Sequence, residues 1–244
     1  MNYLSLANRV PETSALEPRG VAWLYDLVSR VPLVRTTHRR FIAGALSKDV
    51  TRGYALDLGT GPGYVAIDVA RRNPDIQMIG LDLSAHMVER AQQQAMHHEL
   101  NGRGPWLQAD GHFLPFADDS LDLVISSFAL HHWHDPLEVM NEIARVLSSP
   151  RPDAGEPGGC YYIADVCRES SAFQRLFAYA SIPALSLPFG SYWGYGGYYE
   201  SIKAGYTRDE AQSLLEQSSL PPGTVVLDST WFVPMLTITS KGTM

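Results

Sequence analysis

The chain has 244 residues, 45% hydrophobic and 18% charged, a balance that suits a globular protein with a buried core. Its 19 Lys and Arg against 26 Asp and Glu leave a formal charge of -7, which opposes the broad attraction that nucleic acid or an anionic bilayer requires. It has no apolar run of about 18 residues, and MNYLSLANRVPETSALEPRG at its start lacks a basic end and a hydrophobic signal core, so a cytoplasmic protein with no nucleic-acid partner and no integral membrane association is expected.

In chain order, helical patterns at 21–30 and 37–46 point to an N-terminal helical cap over residues 1–50. The basic stretch within them, with Arg35, His38, Arg39 and Arg40, reads as a solvated helix face or as a hold for an anionic group on a ligand. From Gly53 onward, β-type runs at 54–58, 78–82, 106–110, 121–127, 160–166, 224–228 and 232–240 alternate with amphipathic stretches. That alternation predicts a parallel sheet with helices on both faces.

Val65, Ala66, Val69 and Ala70 mark one helix, ended by Asn73-Pro74. Met87, Val88, Ala91 and Ala95 mark a second, with Ser84 as N-cap and a left-handed residue expected at Asn101-Gly102. Val139, Met140, Ile143, Val146 and Leu147 form the stripe of a third, with Glu142 and Arg145 outside it. A Pro/Gly-rich surface loop follows at 148–159.

A further helix begins near Thr207. Only Ser229, Thr230 and Trp231 join the last two strands, too few for a crossover, so these strands form an antiparallel hairpin with Pro234 at a bulge or strand end. The expected organisation is a single domain over 1–244: cap 1–50, ligand-binding core 53–166, an aromatic lid or acceptor segment 168–206, and a last helix and hairpin over 207–244. Cys160 and Cys167, seven positions apart on one strand, face opposite ways and are read as reduced structural thiols.

The first strand runs straight into Gly59, Thr60, Gly61 and Gly63, where the missing Cβ atoms permit a tight turn and close approach of a ligand. Asp82, 19 residues past Gly63, ends the second strand, where a carboxylate can accept ribose hydroxyls. A dinucleotide fingerprint would put its third glycine at Tyr64, and Asp57 would repel a pyrophosphate. Asp57 instead suits a nucleoside cofactor that carries an ammonium group, as S-adenosylmethionine does.

The segments DLGTGPG (57–63), GLDLS (80–84), QADGHFLPFADDSLDLVISSFALHHWHDP (108–136) and NEIARVL (141–147), in that order, resemble class I S-adenosylmethionine-dependent methyltransferases. The likeness is to the small-molecule branch that includes the ubiquinone and menaquinone C-methyltransferases. It implies a Rossmann-like seven-stranded, mostly parallel sheet with a reversed last strand. It also implies that Asp57, Gly59 and Gly61 line the methionine moiety, that Asp82 takes the ribose, and that Leu83 flanks the adenine. On the same ground Asp110 and Gly111 meet the adenine amino edge, and Ser127 and Phe128 face cofactor and acceptor. Thr60, Gly63 and Met87 are counted with this cofactor site, whose product ligand is S-adenosylhomocysteine.

Methyl transfer needs an aligned, desolvated acceptor, and a base only where a proton must leave. His132, then His131, are the candidate catalytic bases, with capping or packing under Trp133 as the alternative. His131, His132 and His134 invite a metal reading, but His131 and His132 need not point the same way, no other His or Cys cluster has ligand spacing, two cysteines cannot build a site and the transfer requires no metal, so no metal site is expected.

Between Phe189 and Thr207, rings interleaved with glycines suggest a lid for an apolar or aromatic small-molecule acceptor, with Tyr192, Trp193, Tyr195 and Tyr199 as candidate substrate contacts and Tyr25 closing the other side. Methyl transfer to oxygen or carbon is therefore the expectation. The alternatives are other sulfonium chemistry, an NAD-dependent oxidoreductase, and a non-catalytic binding protein.

Overall fold

The computed structural model describes residues 32–48, 50–100, 104–150, 153, 158–186, 197–229 and 233–241. A seven-stranded sheet carries the architecture, in the order β3-β2-β1-β4-β5-β7-β6. Its strands are β1 (Gly53–Leu58), β2 (Ile76–Asp82), β3 (Trp106–Gln108), β4 (Leu123–Ser127), β5 (Cys160–Val166), β6 (Gly223–Leu227) and β7 (Met235–Ser240). The first five pair in parallel, and β7 runs antiparallel to both β5 and β6. Pro234 stands immediately before β7, where its missing N–H costs no ladder bond.

Helices α1 (Pro32–Leu46), α2 (Tyr64–Arg72), α3 (Ala85–His97), α4 (Pro136–Val146), α5 (Ala172–Ser186), α6 (Gly197–Ala204) and α7 (Arg208–Gln217) complete the described elements. On one face, Phe41, Ile42 and Ala45 of α1 join Val65, Ala66, Val69 and Ala70 of α2 over Ala55, Leu123 and Ile125. On the other, Val139, Met140, Ile143 and Val146 of α4 join Ala211 and Leu215 of α7 over Leu56, Val124 and Ile163. Each large side chain so buried contributes roughly 1.5–3 kcal/mol of transfer free energy. Both inner strands β4 and β5 are apolar on both faces because both are covered.

Several expectations are corrected. The strand expected at 106–110 ends at Gln108, and the one expected at 121–127 begins at Leu123, with Leu121 in an isolated bridge to Leu147. A left-handed residue that closes α3 is Glu99, φ 58°; Asn101-Gly102, where one was expected, lie outside the described residues. Its amide donates to Met96 O and that of Leu100 to Ala95 O, at 3.1 and 3.0 Å, a Schellman closure that satisfies the last carbonyls without glycine. Ser84 sits at the N-cap of α3, but its side chain makes no capping bond. Within the segment 168–206, α5 and α6 are helical. The helix expected to begin near Thr207 is α7, which Thr207 caps, closing a capping box with Glu210.

Candidate active site

The chain reverses direction across the sheet between β1 and β4, because β2 and β3 build outward on one side and β4 and β5 on the other. A crevice outside the carboxyl ends of the strands at such a switch point is where ligands sit in open α/β sheets. Here β1 delivers Asp57 and the glycine turn, and β4 delivers Ser127 and Phe128.

Gly59, Gly61 and Gly63 all adopt positive φ, at 74°, 53° and 84°. A Cβ on Gly59 would stand 2.6 Å from that of Ala129, so the turn lies directly against the segment after β4. The Gly59 and Thr60 amides both donate to Leu81 O, at 2.8 and 2.9 Å, which binds the turn to β2. The Asp82 carboxylate finishes the tie: Oδ2 accepts the Gly61 amide at 2.8 Å and Oδ1 the Ser84 amide at 2.9 Å. Burial raises the pKa of Asp82, and these two amides oppose the rise.

Asp57 is 1% exposed. Thr60 Oγ1 donates to its Oδ2 at 2.9 Å, while its Oδ1 is buried and has no hydrogen-bond partner among the described residues. Burial drives its pKa up to about 7 and Asp82 adds to the rise, while Thr60 and, more weakly, the Ala66 backbone amide oppose it. A buried carboxylate oxygen without a partner is costly, and a cationic ligand group beside it would remove that cost.

Leu83, just past β2, and Phe113, in the loop after β3, are apolar side chains that are 61% and 73% exposed. Met87, by contrast, is buried within α3. Asp110 is engaged in its own loop: Oδ1 accepts the His112 amide at 3.0 Å and lies 2.6 Å from His112 Nδ1. Burial raises the Asp110 pKa, and the His112 amide and ring outweigh it, so the net shift is downward. Gly111 lies over Leu58, where a Cβ would come within 3.3 Å of Leu58 Cδ1.

The loop after β3 is tied to α4 by Arg145, which reaches Glu142, Asp118, Phe116 O and Leu114 O. Glu142 Oε2 in turn accepts the Leu114 amide at 2.8 Å. These two residues lie outside the apolar stripe of α4 for that reason.

Ser127 ends β4, and Phe128 follows at φ 56°, its backbone amide donating a hydrogen bond to Ala164 O at 2.9 Å. A phenylalanine in the left-handed region stores on the order of 1–2 kcal/mol of strain and marks a place where geometry is imposed. A single turn of 3-10 helix, Leu130–His132, comes next. His131 is 3% exposed, with its amide donating to Asp165 Oδ2 at 2.6 Å and its Nδ1 2.7 Å from Asp165 Oδ1. The carboxylate accepts, so Nδ1 carries the hydrogen. The His132 ring lies 3.9 Å from that of His131. Burial, then His131, lower the His132 pKa to about 3 against an opposing pull from Asp165. His134 is exposed.

Asp165 was not among the sequence candidates. Its signal was an acid inside the apolar strand CYYIADV, since a carboxylate buried on both sides must have a partner. Tyr25, Tyr192, Trp193 and Tyr195 lie outside the described residues, and Tyr199 falls on α6 with its side chain outside them too. An open cleft of about 460 Å³ between α2 and α3, lined by Tyr64, Arg90, Gln94 and His98 among others, contains none of the expected site residues. Among the described residues no group of three His, Cys, Asp or Glu can hold a metal ion, and no helix is long and apolar enough to cross a membrane.

Residues 56–150 match the family model described as a methyltransferase domain. Sheet order, glycine turn and this match make the chain similar to the class I S-adenosylmethionine-dependent methyltransferases. The more particular likeness is to the ubiquinone/menaquinone biosynthesis C-methyltransferase of Geotalea daltonii, 32% identical over 142 residues, 57% of this chain and 57% of that one. The 27-O-demethylrifamycin SV methyltransferase of Amycolatopsis mediterranei is 36% identical over 110 residues, 45% of this chain and 37% of that one. The chain thus spans about half the length of the curated relatives it matches. Among solved structures, one described as an S-adenosyl-L-methionine-dependent methyltransferase of Methanococcus maripaludis aligns with a TM-score of 0.66 at 21% identity, over 96% of this chain and 98% of that one; this likeness is one of fold.

Proposed function

We propose that the protein binds S-adenosylmethionine and transfers its methyl group to an oxygen or carbon of a small molecule with an apolar or aromatic surface. The observation that carries this is Asp57: a buried carboxylate oxygen with no partner, at a glycine turn beside the switch point, suits an ammonium group and not a pyrophosphate. The cofactor supplies an electrophilic methyl group on a positively charged sulfur. Gly59, Thr60, Gly61 and Gly63 shape the cradle, Asp82 has lone pairs left for ribose hydroxyls, and Leu83 and Phe113 offer apolar surface to the adenine. The names of the relatives, a quinone C-methyltransferase and a rifamycin O-methyltransferase, support a carbon or oxygen acceptor.

Where the acceptor loses a proton, we place the base at His131 rather than His132. Asp165 orients the His131 ring through Nδ1, whereas a pKa of about 3 makes His132 a poor proton acceptor. His132 is then a neutral wall of the site. The free, buried Cys160 and Cys167 and the charge of -7 suit a single-domain enzyme of the reducing cytoplasm with no nucleic-acid partner.

Calorimetric titration with S-adenosylmethionine, S-adenosylhomocysteine and NAD in parallel tests the cofactor, followed by transfer of labelled methyl to a panel of quinols and phenols. Selective binding of the two adenosyl ligands with label transfer is the expected result. Preference for NAD, or a folded protein that ignores both adenosyl ligands, overturns the assignment; binding without transfer favours a non-catalytic role.

A further inference from the structure

His38 lies in the stretch TTHRRF of α1, where Arg39 and Arg40 are exposed and His38 is turned inward, 8% exposed. Helix α1 runs antiparallel to β4 and β5. Its far end lies at the base of the sheet, where Lys48 donates to Ser240 O at 2.6 Å. Its middle packs on β5 through Phe41, whose ring meets that of Tyr162 edge-on at 5.2 Å. His38, one turn before Phe41, therefore sits at the mouth, with its ring centroid 6.0 Å from that of Phe128.

Phe128 is the strained residue that flanks the crevice, and Ala129 beside it touches the glycine turn. No hydrogen bond to either ring nitrogen of His38 is present among the described residues. Burial alone lowers its pKa, to about 4, so at neutral pH it is an uncharged ring with one donor and one acceptor nitrogen. Buried imidazoles are ordinarily hydrogen-bonded. This one is unbonded, faces a strained wall of the crevice and keeps a small opening.

We propose that His38 binds the methyl acceptor, exchanging a hydrogen bond with a hydroxyl or carbonyl oxygen on a planar ring that packs against Phe128. The assignment rests on the methyltransferase reading above. Within that reading it gives the acceptor site two walls: α1 with His38, and the turn after β4 with Phe128 and His132. It selects for acceptors that carry an oxygen substituent over bare hydrocarbons of the same shape.

The test compares 1,4-dihydroxynaphthalene with naphthalene, titrated under argon into the full chain saturated with S-adenosylhomocysteine. The quantity read is the ratio of the two affinities in wild type, His38→Phe and His38→Gln. One neutral hydrogen bond predicts a ratio about 3- to 10-fold larger in wild type than in His38→Phe, largely restored in His38→Gln, which keeps a donor and an acceptor. Affinity for S-adenosylhomocysteine is the same in all three. Equal ratios in wild type and His38→Phe overturn the role of His38 and leave the enzyme assignment standing. Failure of wild type to bind either naphthalene probe overturns the planar-acceptor class and the proposal together. Failure to bind S-adenosylhomocysteine, seen in the preceding titration, overturns the cofactor reading itself. Should His38→Phe not fold, His38→Leu serves in its place, read by the same ratio.

Discussion

Asp165 Oδ1 lies 2.7 Å from His131 Nδ1, and Asp165 Oδ2 accepts the His131 backbone amide at 2.6 Å. One carboxylate thus fixes both the main chain and the tautomer of the histidine at the site. Asp165→Asn keeps the shape but loses the charge and one acceptor, so turnover on an acceptor that must lose a proton is expected to fall by about 10²-fold or more. The loss of buried charge-assisted bonds is expected to lower stability by roughly 1.5–3 kcal/mol. Affinity for S-adenosylhomocysteine, measured by calorimetry, should stay near wild type. Unchanged turnover would remove His131 from the chemistry.

Asp57 makes the ligand-free protein less stable as the solution becomes more alkaline. Its carboxyl is pushed by burial from 3.8 to about 7, so the folded state holds a proton that the unfolded chain releases. Its contribution is full below about pH 4 and is lost as pH rises through 7. Asp57→Asn, which can still accept from Thr60, is expected to raise the ligand-free stability at pH 8 by about 2–4 kcal/mol while weakening S-adenosylhomocysteine binding by a similar amount. Wild-type affinity should rise from pH 5.5 to 7.5 as the carboxylate ionises. Chemical denaturation with and without ligand reads both effects, and a variant no more stable than wild type at pH 8 would contradict the burial account.

His38 and His132 act in the opposite sense. Burial carries them from 6.5 down to about 4 and about 3, with His131 adding to the shift of His132. The unfolded chain takes up protons below about pH 6.5 that the folded protein refuses, so the stability they contribute above that pH is lost as it falls towards 4. Replacing either by Phe should flatten the dependence of unfolding free energy on pH between 6.5 and 5 by about one proton, or about 1.4 kcal/mol per pH unit. A slope identical to wild type in both variants would mean that neither ring is held neutral.

Gly59→Ala meets two obstacles at once, a backbone φ of 74° and a Cβ 2.6 Å from that of Ala129. The expected cost is about 2–4 kcal/mol from left-handed strain and overpacking. Adding Ala129→Gly removes the overlap but not the dihedral strain, so it should restore part of the loss. Full recovery in the double variant, or none, would show that only one of the two obstacles operates.

The strands were legible because each was a short apolar run between turn signals, and the short connection 229–231 alone required the antiparallel pair that β6 and β7 form. The glycine turn and the place of Asp82 at the end of β2 were legible because a positive-φ turn needs glycine and each strand end is marked by its apolar run. Helix α5 was not, because AFQRLFAYASIPALS is rich in aromatic residues and contains a proline, without a polar stripe to set its period. Asp165 was missed, and His38 was read with its basic neighbours as a solvated face or an anion hold, for a different reason. Each has a function set by what lies opposite it, and no spacing along the chain brings Asp165 to His131 or His38 to Phe128. Arg39 and Arg40 disguised His38 further, since at 100° per residue neighbours on a helix face different worlds.

The position of β7 between β5 and β6 sets an order of events during synthesis. Every strand of the parallel half, with the glycine turn and the His131–Asp165 pair, is made before residues 235–240. Until those residues emerge, β5 has a row of unpaired backbone groups, and β6, already synthesised, has no neighbour to dock on. A nascent chain at that stage therefore exposes a ready template for strand addition by another molecule, and the insertion of β7 is the step that closes it.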